Sequence, residues 1–323
     1  MKATFIFADD QPYNTSHYRI FIPAKYLQKA GHEIVLCRHL MLTLDKMSST
    51  VLVERVFADE LLQPLRSLGA QRVVLTFDDD YLHIPRNMTG PWNYWKKSGS
   101  VKKLLEVIGH VEKTVVPSVE LTRLYHAELL RNYLDPELWP IPKEKEMSGS
   151  VVIGWGGSLG HLVTWQNPVF AQALADIQRR YPQVKVRVCG AVASDPLHRF
   201  GVQFTDRSWK PFEEWPDMVR SFDIGLAPLS GVYDQARSDL KLREYGAAAV
   251  PFVASAEGEY RLWKNGGGSL VPNTVSAWVE ALARLVEDEA LRQEIGWEGR
   301  RAAQRDCLMN DEAVRLYEEM LWP

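Results

Sequence analysis

The sequence predicts an α/β protein built as two doubly wound domains in tandem. Three observations carry that expectation. Short β-favouring runs alternate with helical periodicity from the first residues onward. The alternation breaks at Trp139-Pro140-Ile141-Pro142 and the charged, small-residue stretch 143–150, and then restarts. The length of 323 residues suits two domains of ordinary size.

In the first half, residues 4–8 read as a strand and 9–17 as a polar loop. Pro23 suits an early helical position, and the helix runs on to a stop at Gly31. Strands are expected at 33–37 and 51–56, and a helix at 58–68 with Pro64 as its weak point. A buried strand over 72–77 ends in Asp78-Asp79-Asp80. A loop rich in Pro, Gly and Trp covers 81–100, before a helix at 101–110 and a strand at 113–116.

The second half opens with a strand at 151–154 and a glycine-rich turn at 155–160. Asn167-Pro168 reads as an N-cap followed by proline at the first helical position, with Phe170, Leu174, Ile177 and Tyr181 on one face. Strands follow at 184–188, 202–205, 223–227 and 251–254, with a helix at 237–248. Val275, Trp278, Val279, Leu282, Leu285 and Val286 mark an amphipathic helix, and 311–321 a terminal one. The expected domains are 1–142 together with 308–323, and 148–307.

Formal net charge is −3, from 38 basic and 41 acidic residues, which disfavours nucleic-acid binding driven by overall charge. Local basic patches at Lys96, Lys97, Lys102, Lys103 and at Arg300, Arg301, Arg305 read first as solvated helix faces. Three widely spaced cysteines argue against a disulfide framework or a CxxC zinc site, and fit a reducing, cytoplasmic setting. No apolar run approaches the roughly 20 residues of a membrane span. The first residues read as a strand rather than a signal peptide.

Two segments suggest a phosphate site. Gly154, Gly156, Gly157 and Gly160 surround a strand exit, where glycines allow close backbone approach to a phosphate. The spacing is not GxGxxG, and a plain tight turn explains it as well. The second segment runs from the strand Asp223-Ile224-Gly225-Leu226-Ala227 to Ser238-Asp239-Leu240-Lys241 and on to Glu244. A helix starting near Ser238 would aim its amides beyond the carboxyl ends of the strands, where ligands bind in such sheets. Lys241 and Glu244, three apart, share a helical face. They suit a phosphate and a ribose, or simply an i,i+3 surface ion pair.

With those residues in view, DIGLAPL … SDLKLREYGAAAVPFVAS … EY … GGGSLV resembles the donor half of the retaining GT-B glycosyltransferases of the group 1 kind. Trp278, Ala281, Leu282, Leu291, Arg292 and Gly296 resemble that family's tail. In the first half, His17-Tyr18-Arg19-Ile20 with Pro23 resembles a segment beside its interdomain cleft. The resemblance implies two Rossmann-like domains facing a cleft, with a C-terminal helix returning to the first. It implies a nucleotide-diphosphate sugar as donor, UDP-sugar first, held by Gly156, Gly157, Ser158, Arg207, Trp209, Lys210, Ser238, Asp239, Lys241 and Glu244. Glu244 takes the second position of the family's E-x7-E motif, whereas the first is Ala236, with Asp234 or Asp239 as possible substitutes. No Arg or Lys stands at the glycine turn, so Ser158 and His161 are the local polar candidates.

Asp78, Asp79 and Asp80 read as carboxylates that orient or activate the acceptor hydroxyl, with His161 as a further catalytic candidate. His17, Tyr18 and Arg19 are expected on the acceptor side. The triplet also reads as a solvated turn, or as the metal-holding DxD of a GT-A enzyme. A GT-B reaction requires no cofactor and no essential divalent metal, and no metal ligands are assigned. The partners are then the nucleotide-sugar donor and a hydroxyl acceptor, with a glycan first. The runner-up is hydroxymethylated DNA, suggested by Pro91-Trp92-Asn93-Tyr94-Trp95-Lys96-Lys97. A catalytically degenerate nucleotide- or glycan-binding protein is the alternative of another class.

Overall fold

The computed structural model describes residues 1–7, 15–41, 43–55, 59–143, 149–161, 163–190 and 194–323. It divides into two compact units. The first contains Met1–Asp135, Ala236–Ser238 and Met309–Pro323; the second contains Pro136–Gln235 and Asp239–Leu308.

Each unit holds one six-stranded sheet. In the first, β1 (Lys2–Phe7), β2 (Glu33–Arg38), β3 (Thr50–Glu54), β4 (Arg72–Thr76), β5 (Lys113–Val116) and β6 (Glu128–Leu129) lie in the order β2-β1-β3-β4-β5-β6. In the second, β7 (Val151–Gly157), β8 (Val184–Gly190), β9 (Phe204–Arg207), β10 (Ile224–Ala227), β11 (Phe252–Ser255) and β12 (Gly268–Val271) lie in the order β12-β11-β10-β7-β8-β9. Every pairing is parallel. Strand order reverses between β1 and β3 in one sheet and between β7 and β10 in the other. These are the doubly wound orders, and their switch points are where such sheets accept ligands.

The strands form because apolar, β-branched runs are buried on both faces by helices. Ile6, Val51, Val53 and Val73 pack with Leu65 in the first unit. In the second, Phe170, Leu174 and Ile177 of the helix Pro168–Arg180 meet Trp278, Leu282 and Val286 of the helix Val275–Glu287. Burying each of these large side chains stabilises the fold by about 1.5–3 kcal/mol. Asn167 caps its helix through Val169 N at 3.1 Å, with proline next in line as the sequence predicts. The helix Asp311–Leu321 belongs to the first unit, where Arg72 donates to Met320 O at 2.9 Å.

Several elements differ from expectation. β7 continues to Gly157, so the glycine-rich segment is mostly strand and the turn starts at Ser158. The reason is packing: a Cβ on Gly154 would meet Phe222 at 2.1 Å, and one on Gly156 would meet Trp215 at 2.2 Å. The helix expected from 237 begins at Leu240, after a tight helical turn at Tyr233–Ala236. The strand expected at 202–205 lies at Phe204–Arg207. Tyr181, placed on the face of its helix, is the C-cap.

An 18-residue helix, Glu289–Asp306, has no apolar period, because its buried face is Gly296, Gly299, Arg300, Ala302 and Ala303. Glycine is required there by close approach. A Cβ on Gly296 would stand 2.3 Å from Ala249 O, and one on Gly299 would stand 2.9 Å from Gly267 Cα. Gly296→Ala is therefore expected to destabilise the protein by about 1–3 kcal/mol through overpacking. Urea unfolding checks this, and an unchanged midpoint would mean that the two backbones can part without loss.

Candidate functional site

In the second unit the switch point between β7 and β10 gathers several of the expected donor residues. Lys241 lies in the first turn of the helix Leu240–Ala247. Its ammonium donates to Gly156 O and stands 5.4 Å from the centre of the Trp155 ring. A Cβ on Gly157 would meet Trp155 at 2.6 Å and His161 at 2.9 Å, so the strand exit is closely walled. His161 is buried and sits edge-on to Trp155, with ring centres 5.9 Å apart. Ser158 is exposed beyond the strand. Glu244, almost one turn after Lys241, is only 6% exposed.

Trp209 stacks on Trp215 at 5.9 Å and 13°. Gly190 beside it has φ +90°, and a Cβ added there would meet Gly157 O at 2.5 Å and the Trp209 ring at 2.6 Å, so no side chain is admitted. Trp209 keeps 41% of its surface exposed, so it flanks the ends of β7 and β8 as an open aromatic platform. Lys210 pairs with Glu214 at 2.7 Å on the surface. Arg207 ends β9, and its side chain lies outside the described residues.

Two carboxylates considered for the missing glutamate are held by the protein itself. Asp239 accepts from Arg243 Nε at 2.7 Å, and both side chains are buried. Asp234 is fully buried and accepts from Thr164 Oγ1 at 2.6 Å and Ser230 N at 2.8 Å. Ser238 belongs to the first unit, where Asn132 donates to its hydroxyl at 3.5 Å. Sequence reasoning did not single out Trp155 and Trp215. The signal was the alternation Gly154-Trp155-Gly156, which in a strand opens one face to bulky neighbours and puts the indole on the other.

A cavity of about 640 Å³ in this unit lies elsewhere. Ser150, Asp223 and Pro251, which line it, precede β7, β10 and β11. It therefore opens at the amino ends of the strands, away from the glycines and Lys241.

In the first unit the carboxyl ends of β3 and β4 carry an ionisable network. Asp78 accepts from Thr15 Oγ1, with both carboxylate oxygens at 2.8 Å. Glu54, fully buried, accepts from Ser16 Oγ at 2.7 Å and Arg55 Nε at 2.6 Å. Burial, then the neighbouring Asp79, raises the Asp78 pKa to about 7, while Arg55 and Thr15 pull it down. A carboxyl titrating near neutrality is suited to exchanging a proton. Asp80 is turned inward: it accepts from Leu82 N at 3.0 Å, His83 N at 3.2 Å and His83 Nδ1 at 2.6 Å. The triplet thus separates into one titrating carboxyl, its neighbour and a loop cap.

This gives a pH signature. Asp78 holds its proton in the folded state up to about pH 7, whereas unfolded it releases it near 4. The stability due to protonation is complete below the unfolded value and is lost as pH rises to the folded one. Asp78→Asn should therefore gain on the wild type between about pH 4 and 7, by on the order of 1–3 kcal/mol, and hold that gain above. Parallel melting curves across that range would refute the shift.

His17 opens a π-helical turn, His17–Phe21, that runs into the helix Ile22–Lys29. Burial lowers its pKa to about 4, so at neutral pH it is an uncharged imidazole. Tyr18 is buried, edge-on to His17 with ring centres 5.0 Å apart. Arg19 is 1% exposed. Its guanidinium donates to Thr76 Oγ1 at 2.7 Å, Asn132 Oδ1 at 3.3 Å, Val115 O at 3.3 Å and Leu130 O. Its donors are thus turned to the sheet's own edge.

Residues 151–288 match the family model described as glycosyl transferases group 1. No curated protein matches the sequence. Among solved structures, sucrose-phosphate synthase from Thermosynechococcus elongatus is similar at TM-score 0.72 and 12% identity, covering 99% of this chain and 98% of that one. HepE from Anabaena, in complex with UDP-glucose, is similar at TM-score 0.71 and 12% identity, with 99% of each chain covered. WaaG, a glycosyltransferase of lipopolysaccharide biosynthesis, is similar at 0.67 and 12% identity, again with 99% of each chain covered. The chain therefore has the GT-B fold of two Rossmann-like domains, and its second half carries a group 1 glycosyltransferase domain.

Proposed function

We propose that the protein transfers a sugar from a nucleoside diphosphate sugar, with a UDP-sugar as first choice, to a hydroxyl of a glycan acceptor. One observation carries the reading: Lys241 and Glu244 on one short helix, with Lys241 held against Gly156 at the β7–β10 switch point. An ammonium there can meet the diphosphate, and Glu244 can accept from ribose hydroxyls. Trp209 offers a flat face for the base. HepE is described in complex with UDP-glucose, which supports the choice of donor. Retention of anomeric configuration is proposed on the family resemblance.

Asp78 and the uncharged His17 are assigned to the acceptor side, where a carboxyl near its pKa can take the proton of the attacking hydroxyl. Stabilisation of the leaving diphosphate falls to Lys241 and backbone amides, so no divalent metal is assigned a step. The test is nucleoside-diphosphate release from UDP-, GDP- and ADP-sugars, with no acceptor, a mixed glycan pool or hydroxymethylcytosine-containing DNA. Release with one donor, stimulated by the glycan pool, is expected. Stimulation by the DNA alone would replace the glycan. Nucleotide binding without release from any donor would make the protein a binding module.

A further inference from the structure

Doubly wound sheets bind their ligands beyond the carboxyl ends of the strands. The cavity of about 640 Å³ lies at the opposite end of the second sheet, and its size suits a small molecule. Every residue lining it belongs to the second unit. Its wall is held in a costly conformation. Ala249 has a left-handed backbone at φ +55°, which a residue with a side chain adopts only under constraint. A Cβ on Gly296 would stand 2.3 Å from Ala249 O, so the neighbouring helix presses on this turn. Arg300, 3% exposed, ties two lining segments together. Its Nη1 donates to Trp139 O at 3.1 Å, just before Pro140, and to Ala247 O at 2.7 Å, just before Ala248. Backbone strain fixed in this way gathers at ligand clamps.

The cations here are incompletely matched. Arg220 lines the cavity, and its Nη1 donates to Asp217 at 2.6 Å. The Asp217 side chain is 80% exposed, so that pair holds weakly. The Arg220 Nε and Nη2 are buried and, among the described residues, meet no acceptor; the same is true of the Arg300 Nε. Buried donors of this kind ordinarily have partners. Burial, and then the charge of Arg220, lowers the Arg300 pKa, which sets the two guanidinium groups in each other's field. Arg292 adds a cation to the lining, braced by Leu285 O at 2.6 Å and Val286 O at 3.0 Å, with Glu289 at 3.8 Å. Guanidinium forks match the oxygens of a phosphate. Asp217, Asp223 and Glu289 line the same space, which disfavours a polyanion and suits one phosphate on a body with hydroxyls to donate. Trp297 and Pro140 offer apolar faces to a ring.

We propose that this cavity binds the phosphate monoester of a small sugar or polyol, with the phosphate on Arg220 and Arg292 and the body against Trp297. The proposal is independent of the sugar-transfer reading. The test is isothermal titration of the full chain with ribose 5-phosphate, inorganic phosphate or ribose at constant ionic strength, repeated with UDP in excess. Ribose 5-phosphate is expected to bind at one site, about tenfold tighter than inorganic phosphate, with ribose silent and UDP without effect. Hydrogen exchange should slow at residues 217–223 and 247–251 when the ester is bound. Arg220→Gln should weaken binding about tenfold or more. Lys143→Gln, at an exposed lining residue, should weaken it by a smaller factor and keeps the test decisive if Arg220→Gln fails to fold. Displacement of the ester by UDP, equal affinity for inorganic phosphate, no binding of the ester, or indifference to both variants would overturn the proposal. If UDP itself does not bind, the choice of a UDP-sugar donor fails, while the exchange pattern and the variants still decide this site.

Discussion

Replacing Lys241 with alanine is expected to lower kcat/KM for the nucleotide-sugar donor roughly a hundredfold or more, with folding stability nearly unchanged. The ammonium is braced by Gly156 O and the Trp155 ring, and in the proposed reaction it faces the charge that accumulates on the leaving diphosphate. Cationic stabilisation that grows in the transition state appears in kcat, so kcat should fall more than KM rises. Lys241→Arg should restore part of the rate, because charge matters more than shape for a phosphate contact. Glu244→Gln should instead raise the donor KM, since a ribose contact is made equally in the ground and transition states. Variants with wild-type kcat and KM would remove both residues from the donor site and leave Lys241 as a strand-end brace.

Arg19→Met is expected to cost about 3–5 kcal/mol of stability, the second large effect. The buried guanidinium gathers the end of β4, a carbonyl of β5, Leu130 O just beyond β6 and the Asn132 side chain. Methionine fills similar volume but leaves those acceptors buried without donors. Urea unfolding measures the loss. The result also decides between two roles for this residue. If stability holds and only the acceptor KM rises, the guanidinium works on a ligand, as the family resemblance implies. If stability falls at unchanged KM, it works on the sheet.

Much of the fold was legible because both sheets are made of apolar β-branched runs punctuated by glycine and proline. Residues 113–116 and the Asn167-Pro168 helix start are clear examples. The 289–306 helix was not legible, because glycine and alanine bury it by closeness rather than by hydrophobic bulk. The extent of β7 was missed for a related reason. Glycines written between a strand and a turn read as turn, when here Gly154 and Gly156 make room for Phe222 and Trp215.

The candidate site was legible in residue type and less so in allegiance. Lys241 and Glu244 could be named from spacing on a helix. That Asp234 and Asp239 are occupied by Thr164 and Arg243 could not be, because those partners are fixed by packing. Local sequence likewise gives three consecutive aspartates one character. The structure gives them different ones, through Thr15 beside Asp78 and the loop amides beside Asp80.

The helix Asp311–Leu321 sets the timetable of folding. It belongs to the first unit, yet about 175 residues separate it from Asp135 along the chain. At synthesis rates of about 5–20 residues per second, the first sheet waits roughly 10–35 s for this cover. The second unit, continuous apart from one three-residue excursion, can complete itself earlier. The nascent chain would therefore mature in reverse order, second unit first. The unfinished amino-terminal half would be the species open to protease or chaperone in the meantime.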